Sequence, residues 1–340
     1  MSRAAAAEAR RGAGRTRTLG SMGGHVKPRL VVIAGPTGVG KTGVAVALAR
    51  LLPIEVISAD SRQVYRGMDA ATGKPTVEER AAVVHHLIDV VDPDDWYQAA
   101  RFRGDAAALI ERIRARGAVP VVVGGTGLYI RALTRGLDAA PAADPSFRHE
   151  LATVARREGR SALWERLRSL APEIAARLHP NDEVRVIRAL EVVRAGAGAL
   201  YGAGRWRDPS GPYDVTYVGL TLDRAALAKR LRARAQAFVT AGLREEVRRL
   251  LARGYSPALP SFHSIGYREF VEVEQGRLTE DEALRRMQRD TVRYAKRQWT
   301  WFMREPDIEW IDVEATGNAT AVAETIACRL TPAWRKDVTA

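Results

Sequence analysis

The sequence contains a single cysteine and no long apolar stretch. Cys328 is alone among 340 residues, which excludes a disulfide framework and any zinc finger and is typical of a reducing compartment. No apolar run approaches the ~20 residues of a membrane helix, so we expect no membrane span. The N-terminal segment also lacks the long apolar part of a secretory signal. We therefore expect a cytoplasmic protein.

Acidic side chains are too few to balance the basic ones. The chain has 53 Lys and Arg residues against 40 Asp and Glu residues, which gives a formal net charge of +13. Residues 1–29 contribute seven basic residues and one acidic residue, or +6, so the rest of the chain carries +7. This excess in the main body predicts a polyanionic partner.

The first 27 residues show no apolar periodicity and are rich in Ala, Arg and Gly. Three explanations fit this composition: a disordered segment, an arginine-rich transit peptide, or sequence upstream of a later start such as Met22. We expect residues 1–27 to be a disordered basic tail and leave them out of the predicted fold.

The stretch GPTGVGKT predicts a phosphate-binding loop. It follows the apolar run Leu30–Ala34 and precedes a helical pattern over 42–52, the strand–loop–helix context that G-x-x-x-x-G-K-[ST] requires. The glycines let backbone N–H groups face an anion at a helix N-terminus. Lys41 is expected to reach the outer phosphate oxygens, and the Thr42 hydroxyl to hold Mg²⁺. The predicted binding residues are Gly35, Pro36, Thr37, Gly38, Val39, Gly40, Lys41 and Thr42.

Strand and helix patterns alternate along the body. Residues 54–59 and 118–125 read as buried strands, and 99–116 and 126–135 as helices, which predicts a parallel α/β sheet with helices on both faces. Residues 140–205 show helical periodicity only, before a strand pattern returns at 213–223. We therefore predict a core of 28–139 and 206–325 with an inserted all-helical domain at 140–205. Further helices are predicted over 224–253, 265–275, 279–303 and 318–330.

Asp60 and Thr126 follow the two other predicted strands of the first half. The carboxyl ends of parallel strands face the ligand, so both side chains are expected to look into the phosphate site. Gly124 and Gly125 stand where nucleotide hydrolases of this class usually carry a second acid for Mg²⁺ and water. Asp60 is compatible with three roles: a Mg²⁺ ligand, a general base, or a turn or helix cap.

Eight blocks of the sequence, in order, resemble the bacterial tRNA dimethylallyltransferases, also called tRNA isopentenyltransferases. The blocks are GPTGVGKT, ISADSRQVYRGMD, GKP, HHLIDVVDP, VVVGGTGLYIRAL, HPNDEVRVIRALEV, LPSFHSIGYREF and YAKRQWTWF. The resemblance implies transfer of a dimethylallyl group from dimethylallyl diphosphate to N6 of the adenosine immediately 3′ of the anticodon. Diphosphate leaves whole. The implied partners are the tRNA anticodon stem-loop and dimethylallyl diphosphate, and we expect a monomer.

The resemblance also assigns roles to residues. Asp60 becomes the carboxylate that accepts an N6–H bond, Thr126 the donor to the oxygen between prenyl group and diphosphate, and Arg234 a diphosphate ligand. Phe238 stands where the family usually has methionine. An adenosine in a stacked loop must be flipped out to reach such a site. The implied tRNA-binding residues are Asp60, Ser61, Arg62, Gln63, Thr126, Arg148, Val184, Arg185, Val186, Ile187, Arg188, His263, Ser264, Ile265, Gly266, Tyr267 and Arg268.

Two other functions share part of this pattern. A P-loop small-molecule kinase would have the same loop, an α/β core and a helical insertion with arginines, but the missing strand-end acid at Gly124 and Gly125 disfavours it. A noncatalytic RNA-binding protein would explain the charge, but not the pairing of Asp60 with Thr126.

Two local patterns allow more than one interpretation. RYAKRQWTWF interleaves basic and aromatic residues like an RNA-stacking strip, whereas Tyr294, Gln298, Trp301 and Phe302 share a core-facing helical stripe. We favour the core for the aromatics and solvent or RNA for the basic residues. The neighbouring histidines of HHLID suggest a metal, but no further ligands stand at a suitable spacing, so we favour a structural role.

Overall fold

The computed structural model describes residues 27–137, 141, 144–202 and 211–334. The predicted basic tail, apart from residue 27, lies outside the described residues. Both predicted boundaries of the helical insertion, near 140 and 205, lie outside them too. In the described part of the chain, no helix is both long and apolar enough to cross a membrane.

A six-stranded parallel sheet forms the centre of the described residues, in the order β3-β2-β4-β1-β5-β6. Its strands are β1 (Arg29–Ala34), β2 (Ile54–Ala59), β3 (His85–His86), β4 (Val119–Gly124), β5 (Asp214–Thr221) and β6 (Glu309–Asp312). The predicted parallel α/β architecture is therefore confirmed. The carboxyl ends of β1, β2 and β4 lie side by side at the centre of the sheet, because Ala34 and Ala59 both pair with Gly124.

The central strands are buried on both faces, as their unbroken apolar sequence predicts. In β1, Leu30 and Val32 belong to one apolar cluster and Val31 and Ile33 to another. Successive side chains of a strand point to opposite faces, so the two clusters are the two layers of the core. Helices cover both layers.

The helices follow the strands in the order that a doubly wound sheet requires. Those of the core are α1 (Lys41–Ala49), α2 (Val77–Ala82), α3 (Ala99–Ala115), α4 (Gly127–Arg135), α9 (Arg224–Thr240), α10 (Leu243–Ala252), α11 (Tyr267–Glu274), α12 (Glu280–Phe302), α13 (Val313–Thr316) and α14 (Ala319–Trp334). Between α4 and β5 lie α5 (Pro145–Glu158), α6 (Arg160–Leu170), α7 (Pro172–Ala175) and α8 (Glu183–Arg194).

Helices α5 to α8 pack around an apolar cluster of their own. Phe147, Leu151, Leu163, Leu167 and Leu190 belong to it, and all are at most 4% exposed. We call these four helices the helical unit. The separate cluster explains why this stretch of sequence shows helical periodicity without strands.

The chain leaves the core for the helical unit and returns from it at one point. Gly211, shortly before β5, lies so close to the backbone of Thr134 in α4 that a β-carbon there would overlap the Thr134 carbonyl oxygen. The two connections of the helical unit therefore start side by side.

Several details differ from the sequence prediction, and the short helices α2 and α13 are among the elements that were not predicted. β3 and β6 were not predicted, because two- and four-residue strands at the sheet edges show too little periodicity. The predicted helix over 224–253 is two helices, α9 and α10. The chain turns between them at Gly242, whose φ of 95° favours glycine.

Candidate active site

The phosphate-binding loop lies at the carboxyl end of β1, between that strand and α1, as predicted. Gly40 precedes α1 in the left-handed region, with φ 106° and ψ 18°. A residue with a β-carbon is disfavoured in that conformation, so glycine allows the tight entry into the helix. Thr37, Gly38, Gly40, Lys41 and Thr42 line a cavity of about 340 Å³. Val39 is instead buried in the core.

Lys41 is enclosed within this loop. Its Nζ donates hydrogen bonds to the carbonyl oxygens of Gly35 and Pro36, each at 2.9 Å. Burial lowers the pKa of Lys41 from 10.5 to about 8; the charge of Asp60 opposes the fall, and that of Arg234 adds to it. A bound diphosphate would favour the charged ammonium, so this lysine suits the binding of an anion.

Arg234, on α9, faces the loop from the opposite side of the cavity. Its Nη1 lies 3.5 Å from the Thr37 hydroxyl, and its guanidinium lies 4.9 Å from the ring centre of Phe238. Burial lowers the pKa of Arg234, while Asp60 raises it. Arg234 therefore lines the cavity beside the loop, and Phe238 supports its guanidinium by cation–π contact.

Asp60 caps a turn and also faces the cavity. Its Oδ1 accepts hydrogen bonds from the backbone N–H groups of Arg62, at 2.8 Å, and Gln63, at 3.3 Å. Among the described residues, Oδ2 accepts no hydrogen bond. The cap and the catalytic interpretation are therefore compatible, because one carboxylate oxygen orients the side chain and the other is available to a ligand.

Thr126 lies directly behind Asp60, at the start of α4. Its N–H donates to the Ala59 carbonyl oxygen at 3.2 Å, and its Oγ1 accepts from the Ser61 N–H at 3.1 Å. The pKa of the nearby Tyr294 is raised to about 12 by burial and by Asp60, and the Thr126 hydroxyl partly offsets this rise. Thr126 is not among the described residues that line the phosphate cavity. Its hydroxyl oxygen instead contacts the segment that carries Asp60, through the Ser61 N–H.

A second cavity, of about 500 Å³, continues from the first. The two cavities share Thr37, Asp60, Thr72, Gly73 and Arg234. The second one combines apolar, polar and basic side chains, among them Ser61, Arg62, Phe238, His263, Ser264, Ile265, Arg268, Met287, Arg293, Tyr294 and Arg297. The cavity beside the loop, which could hold an anion, therefore opens into a larger cavity that has room for a nucleotide base.

Most of the predicted stretch around His263 lines the larger cavity. His263 and Arg268 both reach the surface. The His263 ring is nevertheless partly enclosed by the cavity wall, and this partial burial lowers its pKa, as do the charges of Arg62 and Arg268. Tyr267 is 0% exposed and donates a hydrogen bond to Glu246 Oε1 at 2.5 Å. Its side chain therefore supports this stretch from inside the core, which corrects its predicted place on the RNA surface.

In the helical unit, the predicted RNA-binding arginines differ in their surroundings. The Arg185 side chain is 65% exposed, whereas Arg148 and Arg188 both bind the buried Glu191, with Nε and Nη1 at 2.7 and 3.2 Å from its carboxylate. Burial raises the pKa of Glu191, but hydrogen bonds from Arg148, the Asp144 N–H and Arg188 outweigh it, and the pKa is lowered.

The predicted RNA-binding residues next to Arg185 in the sequence also include both exposed and buried side chains. Val184 is 79% exposed, whereas Val186 is 0% exposed and belongs to the core of the unit, so its predicted contact with RNA cannot be made by the side chain. Ile187 is partly buried against the same core. The guanidinium of Arg148 lies 5.5 Å from the ring centre of Trp96, a 43%-exposed residue of the α/β core.

Helix α12 contributes a residue that the sequence interpretation assigned to the core stripe. Gln298 is buried, but its amide contacts the phosphate loop and lines the smaller cavity. Phe302 is in the core, and Arg293, Lys296 and Arg297 are exposed, as favoured, whereas Tyr294 is only partly buried and lines the larger cavity. The sequence did contain a signal for this role, because Gln298 is the one residue of the predicted core stripe with a side-chain amide.

The two histidines of HHLID pair with protein groups. His86 Nε2 lies 2.6 Å from Glu55 Oε2, and His85 Nδ1 lies 2.8 Å from the Val83 carbonyl oxygen. Within the described ranges, no three His, Cys, Asp or Glu side chains come together as a metal site. Thr42 and Asp60, both oxygen donors, line the same cavity.

Comparison with known proteins identifies relatives over most of the chain. Residues 63–305 match the IPP transferase family, and residues 28–89 match the Isopentenyl transferase family. A tRNA dimethylallyltransferase of Anaeromyxobacter dehalogenans is 49% identical over 83% of this chain and 94% of its own. That of Syntrophobacter fumaroxidans is 45% identical over 89% of this chain and 90% of its own.

Solved structures agree with these relatives. The tRNA isopentenylpyrophosphate transferase of Bacillus halodurans is 38% identical, with a TM-score of 0.67 over 92% of this chain and 99% of its own. A eukaryotic dimethylallyltransferase acting on tRNA is 27% identical, with a TM-score of 0.72 over 90% of this chain and 80% of its own. On the length and identity of these matches, the chain belongs to the IPP transferase family, the family of the tRNA dimethylallyltransferases.

Proposed function

We propose that the protein transfers the dimethylallyl group of dimethylallyl diphosphate to N6 of the adenosine immediately 3′ of the anticodon in tRNA. The observation that carries the proposal is the continuity of the two cavities through Asp60 and Arg234. One cavity contains the phosphate loop and the other has room for a base. Asp60 stands at their junction, where the donor and the acceptor must meet.

The donor diphosphate binds in the smaller cavity. Lys41, Arg234 and the N–H groups of the loop neutralise the charge that develops as the diphosphate leaves. Thr126 donates its hydroxyl hydrogen to the oxygen between C1 and the diphosphate. Interactions with this oxygen strengthen as the bond breaks, so they favour the transition state over the bound substrate.

The acceptor adenosine enters the larger cavity after flipping out of the anticodon loop. The N6 lone pair attacks C1 of the donor; the N6–C1 bond forms, the C1–O bond breaks, and its electron pair leaves with the diphosphate. The N6 proton passes to Asp60 Oδ2 and from there to water. The backbone N–H bonds to Oδ1 hold the carboxylate in position, which is how it orients the amine.

We further propose that Mg²⁺ accompanies the diphosphate. Mg²⁺ is usually held by one or two protein oxygens together with substrate phosphates and water, and the Thr42 hydroxyl, which lines the smaller cavity, fits that pattern. When bound, the ion adds to the neutralisation of the leaving diphosphate. All other steps described above use side chains and backbone groups of the chain.

The helical unit is proposed to be a clamp on the tRNA stem-loop. Arg185 and Val184 are its exposed predicted contacts. Arg148 and Arg188 shape the surface through Glu191, and each keeps part of its side chain, 29%, exposed to a phosphate. We propose a cytoplasmic enzyme that acts as a monomer, since the two cavities are formed by a single chain.

The deciding experiment is incubation with unmodified bulk tRNA and labelled dimethylallyl diphosphate, with labelled ATP as the rival donor. Prenyl label should appear in tRNA only with the first donor, and digestion should locate it on the adenosine 3′ of the anticodon. Transfer of the γ-phosphate of ATP to any acceptor, with no prenyl transfer, would instead support the kinase alternative. The glycine-ended β4 argues against that outcome.

A further inference from the structure

Gln298 is a buried polar residue whose amide makes two contacts across the active site. Its side chain is carried by α12, and the residue is 6% exposed. Oε1 accepts a hydrogen bond from the Thr37 N–H, and Nε2 donates one to the Gly125 carbonyl oxygen, each at 2.9 Å. Because one partner only donates and the other only accepts, a single orientation of the amide satisfies both.

These two contacts join the loops that carry the two halves of the chemistry. Thr37 belongs to the loop that grips the diphosphate, whereas Gly125 directly precedes Thr126. Thr126 in turn is bonded to Ala59 and Ser61, the residues on either side of Asp60. Beyond the pairing of their strands, the Gln298 amide therefore links the diphosphate loop to the segment that presents Thr126 and Asp60.

The fit around the amide leaves no room for substitution at its partner. A β-carbon on Gly125 would overlap Gln298 Nε2 and would also approach the Gly35 carbonyl oxygen to 3.3 Å. Loss of the amide would leave the Gly125 carbonyl oxygen buried without its donor, which is costly. The glycine and the glutamine are matched to each other.

We propose that Gln298 is a positioning residue for prenyl transfer, because its amide sets the separation between the diphosphate loop and the Thr126–Asp60 segment. The inference rests on the proposed function. Displacement at C1 requires the leaving oxygen, C1 and the amine to be aligned, and a misplacement of about 1 Å costs roughly 10²-fold in rate. Gln298 touches no reacting atom and acts through the two loops.

The test compares Gln298→Met with Gln288→Met. Gln288 lies on the same helix and donates to the Arg232 carbonyl oxygen at 3.3 Å, away from both cavities. We expect Gln298→Met to lower kcat for prenyl transfer roughly 10²-fold, with an unchanged Kd for tRNA. Its melting temperature should fall below that of the control, because the Gly125 carbonyl oxygen loses its donor, while the variant stays folded at the assay temperature. Equal kcat values for the two variants would overturn the inference.

Gln298→Glu provides a second readout that does not depend on Gln298→Met being folded. A protonated carboxylic acid can accept from Thr37 and donate to Gly125, whereas a carboxylate repels the Gly125 carbonyl oxygen. We expect its kcat, as a fraction of the wild-type kcat, to rise as the pH falls. A fraction that does not change with pH would overturn the inference.

Two controls complete the design. The wild type is measured at each pH, since other groups of the cavity titrate or carry charge: Lys41, Asp60, Glu79, His85, Arg230 and Arg234. A wild type that transfers no prenyl group would refute the proposed function. An active wild type with unaffected Gln298 variants would refute only the positioning role.

Discussion

The lowered pKa of Lys41 predicts a specific pH dependence for donor binding. The charged ammonium binds the diphosphate, so affinity is present below the pKa of about 8 and is lost as the pH rises through it. One pH unit above the pKa, about a tenth of the free enzyme keeps the charge, so kcat/KM for dimethylallyl diphosphate should fall about tenfold by pH 9, because this ratio reports the free enzyme. An unshifted lysine would show no such bend below pH 10.

The assay is initial-rate prenyl transfer at saturating tRNA between pH 6.5 and 10. At saturating donor, kcat should hold to higher pH, because the bound diphosphate stabilises the ammonium. Two other titrating neighbours do not interfere: the pKa of Tyr294 is raised to about 12, and that of His85 is lowered. Lys41→Arg is the control, since a guanidinium stays charged throughout and should abolish the bend at a lower overall rate.

Two further variants should move the bend in opposite directions. Asp60 raises the pKa of Lys41 and Arg234 lowers it, so Asp60→Asn should move the bend to lower pH and Arg234→Gln to higher pH. Both variants should have a lower kcat/KM at every pH, but the pH at which kcat/KM begins to fall does not depend on its absolute value. A wild-type profile that is flat to pH 10, or a bend that stays fixed in both variants, would refute the electrostatic account.

Four substitutions, Asp60→Asn again among them, test the acceptor side and the helical unit. Asp60→Asn should also lower the single-turnover rate roughly 10²–10⁴-fold with little change in tRNA affinity by gel shift; a near-normal rate would reduce Asp60 to a turn cap. Arg185→Gln should flatten the log–log salt dependence of tRNA binding by about 0.7–0.9, whereas Arg188→Gln should mainly lower the melting temperature, and equal changes in slope would contradict this division. Glu191→Gln should destabilise the protein at neutral pH, where the lowered pKa of the native carboxylate favours folding. This difference should narrow as the pH falls below 4.5 and through that pKa, and a constant difference in melting temperature would refute it.

The sequence predicted those parts of the fold that have strong local patterns. β2 was predicted with its observed bounds, Ile54–Ala59, because buried parallel strands are unbroken apolar runs between turn signals. β3 was missed because its two residues acquire strand geometry only by pairing with β2. Long-range pairing of this kind leaves no mark in the local sequence.

The candidate site was predictable where one segment supplies the chemistry, and less so where distant segments meet. The phosphate loop is contiguous, so its motif was sufficient. Gln298 acts 261 positions away from Thr37 in the chain, and from sequence alone it was one polar residue in a core stripe. For Arg188 the sequence suggested too much, because a basic residue on a helix is a natural candidate for RNA binding. The structure shows that its guanidinium is already paired with the buried Glu191.

Because the chain leaves and re-enters the core at one point, the helical unit could be shortened or replaced without moving the strands. Thr134 and Gly211 touch, so a chain shortened between them would need only a tight turn to rejoin, and the entropy of closing such a connection grows slowly with its length. Every strand would keep its neighbours. The helical unit is in this sense a module: a chain in which its length or charge is changed would keep the same order of strands in the core.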